Sequence, residues 1–136
     1  EDVFWKVLIK PGGPMAFGLS GTTPVFSLPG NPVSSLITFE VFVRPALRKM
    51  TGSPHPVKIP VKATLAEPVK KKPGKTHFLR VVIESGEEGY VARTAGDQNT
   101  GILRTLALAD GIAVLPRERT NFAAGEKVDV LLLYRQ

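Results

Sequence analysis

The sequence predicts an α+β chain: a strand, a turn and a helix, followed by a small closed β-barrel. Two observations predict it. The hydrophobic pattern changes from a helical to a strand-like period across Gly52 to Pro60, where Gly52, Pro54, Pro56 and Pro60 interrupt regular structure. Beyond that break, five short β-rich runs are separated by turn residues, and a sheet of this kind removes its exposed edges most simply by closing on itself. The expected organisation is therefore residues 1–53 as one unit and 54–136 as the barrel.

Taken in order, Val3 to Ile9 reads as a strand, Met15 to Phe17 as a short extended piece and Val25 to Leu28 as a buried strand. Pro29 ends that run, and Gly30 permits a turn or a close backbone approach. Asn31 has the chemistry of an N-cap, and Pro32 fits the first helical position because its missing N–H has no intrahelical acceptor to lose. The helix carries Val33, Leu36, Ile37, Phe39, Val41, Phe42, Val43, Ala46, Leu47 and Met50, too many apolar positions for one stripe, so cover on more than one side is expected. Pro45 cannot donate to the Val41 carbonyl, which implies a kink or a break. The barrel runs are Val57 to Thr64, Phe78 to Glu84, Tyr90 to Arg93 across a Glu87-Glu88-Gly89 hairpin turn, Ile112 to Leu115 and Val128 to Leu133. Gly101 to Ala109 has the spacing of one or two helical turns.

Composition narrows the function. No apolar run reaches the about 18 residues of a membrane span, no secretory leader opens the chain, and no membrane role is expected. Nothing points outside the cytoplasm. The first residue is Glu1 and not Met, as expected of a processed chain or a piece of a longer one. With no cysteine, thiolate metal sites and a thiol nucleophile are excluded. The net charge of +6 suits anionic partners, and its densest cluster is Lys70, Lys71, Lys72 and Lys75 around Pro73-Gly74. No aromatic residue interleaves that cluster to stack on bases, so it reads as a solvated loop, and nucleic acid is not an expected partner. Pro73-Gly74-Lys75-Thr76 lacks the earlier glycine of a phosphate loop and precedes a strand, which rules that motif out. His55 reads as an exposed linker residue, His77 as structural, Glu87 and Glu88 as solvated, and Trp5 as core.

The chemistry is concentrated at Pro29 to Ser34. The N–H groups of Val33, Ser34 and Ser35 at a helix start can face an anion; alternatively Asn31 simply caps the helix, and spacing alone leaves both open.

Four segments in order resemble the C-terminal part of the molybdopterin molybdenumtransferase family, whose eukaryotic relative is the gephyrin E domain. They are Ile9-Lys10-Pro11-Gly12 with Pro14 and Phe17-Gly18, then Leu28 to Ser34, then Phe42 to Leu47, then Gly96 to Leu103 followed by Ala113 to Pro116. The resemblance implies the truncated end of an α/β, molybdopterin-binding-like domain ahead of the barrel. It implies an enzyme that inserts molybdenum from molybdate into adenylylated molybdopterin, releasing AMP with Mg²⁺ assisting, as a homodimer. Metal-binding carboxylates are expected upstream of Glu1, so this chain alone is expected to be inactive. By the same resemblance Lys10 is the catalytic loop lysine. Pro14, Pro29, Gly30, Asn31, Pro32, Val33, Ser34, Arg80 and Thr100 join Lys10 in binding substrate, Arg80 from a Phe-x-Arg pattern and Thr100 in place of a serine. The family's second loop lysine is Gly13 here. The alternative reading is a gephyrin-type interaction module without its own catalysis.

Overall fold

A computed structural model describes residues 2–4, 6–96 and 108–133. The strands of the first half are β1 (Asp2–Phe4), β2 (Ile9–Lys10), β3 (Ala16–Ser20) and β4 (Thr23–Ser27). The helical stretch is α1 (Pro32–Thr38), a π-helical segment (Phe39–Val43) and α2 (Arg44–Met50). The second half holds β5 (Val61–Leu65), β6 (Val69–Lys70), β7 (Thr76–Gly86), β8 (Gly89–Thr94), β9 (Gly111–Leu115), β10 (Asn121–Phe122) and β11 (Lys127–Leu132).

The barrel has five strands in the order β7-β8-β5-β11-β9, and β9 returns to β7 to close it. Closure depends on the length of β7, which spans 11 residues and serves different partners along its run. Residues His77 to Val81 pair with β9, whereas Val81 to Gly86 pair with β8. Alternate residues fill the two faces, as the period of two requires. Leu79, Val81, Ala113, Leu115, Val128 and Val130 point into the barrel with Ala63, Leu65, Val69, Ala92 and Phe122. Phe78 and Ile112 point outward and pack with Ile9, Val33 and Ile37 of the first half. The outer cluster thus joins residues on both sides of the expected boundary.

The α+β class and the closed barrel agree with expectation, and the hairpin at Glu87-Glu88 is present, with Gly86 opposite Gly89. Several element boundaries differ. Val3 to Ile9 is not one strand: β1 pairs with β3, whereas β2 leaves that sheet and pairs in parallel with β7. The short piece expected at Met15 to Phe17 is one arm of a hairpin with β4, turned by Gly21 at φ +62° in a two-residue loop. The β4 strand is not buried: its only partner among the described residues is β3, and Val25 is 45% exposed. Val57 to Pro60 lies outside β5 because Pro60 cannot donate to a ladder, and Ile59 is 84% exposed.

Leu36, Leu47 and Met50 of the helical stretch are exposed, whereas Val33 and Ile37 are buried. Pro45 stands in the first turn of a second short helix, α2, which follows the π-helical segment directly. The wider π turn, in which the Arg44 N–H donates to the Phe39 carbonyl, absorbs the bond Pro45 cannot make and lets α2 follow. The short pair β6–β10 was not anticipated. Trp5 and nearly all of the helical turns expected at Gly101 to Ala109 lie outside the described residues.

Candidate functional site

The site begins with a loop whose shape depends on one glycine. After β2 the chain turns through Pro11 to Pro14, with the Met15 N–H donating to the Gly12 carbonyl and the Val7 N–H to the Gly13 carbonyl. Gly12 has φ +109°, and a Cβ there would collide with Thr38 Cγ2. Thr38 cannot yield easily. It is fully buried, and its hydroxyl donates to the Ser34 and Ser35 carbonyls at 2.8 and 3.0 Å. The loop is thereby locked against α1, with Lys10 at its entrance.

The β2–β7 pairing then sets the geometry. Ile9 sits opposite Thr76 and Lys10 opposite His77, and the Thr76 N–H donates to the Leu8 carbonyl at 2.9 Å. This short parallel contact brings the Pro11 to Pro14 loop beside the lysine-rich turn that precedes β7. Between them lies a cavity of about 900 Å³, lined by Leu8 to Pro14, Ser34, Lys70 to Lys75 and His77. Its lining holds Lys10, Lys70, Lys71, Lys72 and Lys75 and no carboxylate. The imidazole of His77 stands at their meeting point, and its Nδ1 is buried without a hydrogen-bond partner among the described residues. Burial, and then the charges of Lys10, Lys71 and Arg80, hold its pKa down at about 4.

Of the substrate residues expected from the sequence, Lys10, Pro14 and Ser34 line this cavity together. Pro29, Gly30, Asn31, Pro32 and Val33 do not, and the helix-start amides are not an open receptor. The Val33 and Ser34 N–H groups donate to Asn31 Oδ1 at 3.1 and 3.4 Å, and the Ser35 N–H donates to the Asn31 carbonyl at 2.8 Å. Asn31 is therefore the cap, and it consumes the donors that an anion would have used. Gly30 stands in open space, and a Cβ added there would meet nothing within 4 Å. Arg80 is neither a surface residue nor part of the cavity lining: it is 1% exposed, on the outward face of β7 with Phe78. Thr100 lies outside the described residues.

The lysine cluster is largely exposed, as expected of a solvated loop, and it also forms a wall of the cavity. Its sequence signal was position: a Pro-Gly turn rich in cations directly before a long strand. Nothing local announced that β2 would dock on that strand.

An α/β end joined to a five-stranded barrel, with a basic cavity at the junction, defines the class of protein. Residues 62–133 match the family described as MoeA C-terminal region (domain IV), and residues 1–49 match the one described as Probable molybdopterin binding domain. The chain belongs to the molybdopterin molybdenumtransferase (MoeA) family. It is 38% identical over 127 residues to molybdopterin molybdenumtransferase 2 of Mycobacterium tuberculosis, covering 93% of this chain and 31% of that protein. With the molybdopterin molybdenumtransferase of Haemophilus influenzae it shares 36% identity over 129 residues, covering 93% of this chain and 32% of the other. The crystal structure of the molybdopterin biosynthesis moeA protein from Pyrococcus horikoshii OT3 superposes with a TM-score of 0.84 at 30% identity, over 98% of this chain and 33% of that one. The chain thus spans about a third of the length of the relatives it matches.

Proposed function

We propose that this chain is the C-terminal part of an enzyme that inserts molybdenum from molybdate into adenylylated molybdopterin, releasing AMP, in molybdenum cofactor biosynthesis. The observation that carries the reading is the basic cavity: Lys10, Ser34 and the lysine turn surround one space that contains no carboxylate. Such a cavity attracts a dianionic tetrahedral oxyanion and holds it against groups that do not have to reorganise. In this reading residues 1–53 end the α/β domain and 54–136 form the barrel domain.

Lys10 supplies the main charge to molybdate, and Pro11 and Pro14 limit the freedom its loop has to lose. Ser34 offers a hydroxyl from the first turn of α1, whose direction Pro29 to Val33 set. Arg80 adds positive potential from behind His77, whose protonation it opposes. Thr100 is assigned by resemblance alone. Among the described residues no group of three His, Asp or Glu side chains could hold Mg²⁺, and no step is routed through it. Alone, the chain binds the oxyanion without turning over.

Titration calorimetry with tungstate or molybdate tests the reading. Lys10→Ala is expected to weaken binding by about tenfold or more, the effect of losing one charge-assisted contact. Equal affinity in the wild type and Lys10→Ala would remove the oxyanion from this cavity.

A further inference from the structure

We propose that the Lys70 to Lys75 turn and the Pro116 to Thr120 loop together form a docking ridge for another protein, whose contacting segment is acidic and rich in carboxylates. The ridge does not depend on what the cavity holds. It is built on the β6–β10 pair, in which Asn121 stands opposite Lys70 and Phe122 opposite Val69, so that the two loops leave the pair side by side. Backbone bonds then tie them together. The Lys71 and Gly74 N–H groups donate to the Thr120 and Arg117 carbonyls, both at 2.9 Å. The Lys71 ammonium adds bonds to the Lys72 and Arg117 carbonyls at 3.0 and 3.4 Å. A ridge held in this way has little loop freedom left to lose when a partner arrives.

Its charge is one-sided. Lys70, Lys72, Lys75 and Arg117 are exposed on it, against a single acid, Glu118. Among the described residues none of the three lysines is ion-paired with a carboxylate, and Arg117 meets its neighbour Glu118 loosely, at 3.8 Å with both side chains more than half exposed. Arg119 is committed to the barrel, since it bridges Glu126 at 2.7 Å and lies over the Phe122 ring at 4.3 Å. The opposite charge is far off. From Thr76, beside the lysines, the 11 residues of β7 run to Gly86, where Glu87 and Glu88 form an exposed acidic tip. That is about 33 Å of extended strand, several times the screening length of about 8 Å at physiological salt. The tip therefore leaves the ridge uncompensated, and an acidic surface is drawn to one end of the barrel and repelled from the other.

The same residues favour a polypeptide over other anionic partners. Neither loop has an aromatic side chain on which a base could stack, and Phe122 beside them is 2% exposed. Glu118 would also face the unbroken phosphates of a nucleic acid, whereas carboxylates spaced along a polypeptide can pass it. Neither loop has a large apolar side chain to enter a lipid surface. Lysine ammonium groups, for their part, accept carboxylates without demanding one orientation.

Calorimetry on the whole chain at low salt tests the ridge, with a short oligoglutamate peptide, a single-stranded oligonucleotide of equal charge and anionic phospholipid vesicles as probes. Oligoglutamate is expected to bind most tightly and to weaken as salt is raised. Arg117→Glu is expected to lower its affinity about fivefold or more, and Glu118→Lys to raise it about twofold or more. Both side chains are exposed, and the bonds that hold the loops use the Arg117 carbonyl, which either variant keeps, so the fold survives. Lys10→Ala, a change inside the cavity, is expected to leave oligoglutamate within about twofold. Equal peptide affinity in the wild type, Arg117→Glu and Glu118→Lys overturns the proposal. So does a loss in Lys10→Ala as large as that in Arg117→Glu, which would put the peptide in the cavity. Tighter binding of the oligonucleotide or of the vesicles overturns it in favour of that partner, and self-association abolished by Arg117→Glu overturns it in favour of a second copy of the chain.

Discussion

The imidazole of His77 pays for its place at the cavity in acid stability. Burial comes first, and the cations Lys10, Lys71 and Arg80 come next, in lowering its pKa from 6.5 to about 4. Between those two values the unfolded chain takes up a proton that the folded chain refuses, so stability falls as pH drops through the window. His77→Gln is expected to flatten the loss between pH 7 and pH 5 by about 1 kcal/mol, a value discounted for the solvent that still reaches this half-buried ring. Urea melts at the two pH values check it, and parallel losses in wild type and variant would show that another group titrates. Glu67 does not confuse the comparison. The backbone N–H of Thr94 and then its hydroxyl lower that carboxyl's pKa, so its contribution is lost only as pH falls below the ordinary value of 4.5.

At the scale of elements, α1 shows how one side chain decides between a binding site and a cap. Asn31 Oδ1 takes the Val33 and Ser34 amides, which leaves the helix start closed to anions. Asn31→Ala is therefore expected to cost about 1 kcal/mol of stability and to leave tungstate affinity within about twofold, as befits a cap outside the cavity. A large loss of affinity with little loss of stability would return the helix start to the receptor. The π turn illustrates a related trade: Pro45 removes one hydrogen bond, and the wider Phe39–Val43 turn avoids the steric clash and leads directly into α2.

Across the whole molecule, the outer cluster of Ile9, Val33, Ile37, Phe78 and Ile112 ties the first half to the barrel, and the β2–β7 pairing runs through the same seam. Residues 54–136 made alone would expose Phe78 and Ile112. Such a piece is expected to melt at least about 4–8 °C below the full chain, the equivalent of about 1 kcal/mol in a small domain. It is also expected to bind a hydrophobic dye. An unchanged melting temperature would mean that the seam contributes no net stability.

Local chemistry was enough to reveal the barrel strands at Ile112 to Leu115 and Val128 to Leu133, the hairpin at Glu87-Glu88, and the helix start at Asn31-Pro32. Alternation, turn formers and capping residues act between near neighbours, so the order of residues carries them directly. The separation of β2 from β1, the burial of Arg80 and the partnership of Lys10 with the Lys70 to Lys75 turn arise only when distant strands choose their register. That choice depends on which apolar faces meet across Ile9, Phe78 and Ile112, a summed packing energy that no short window of sequence displays.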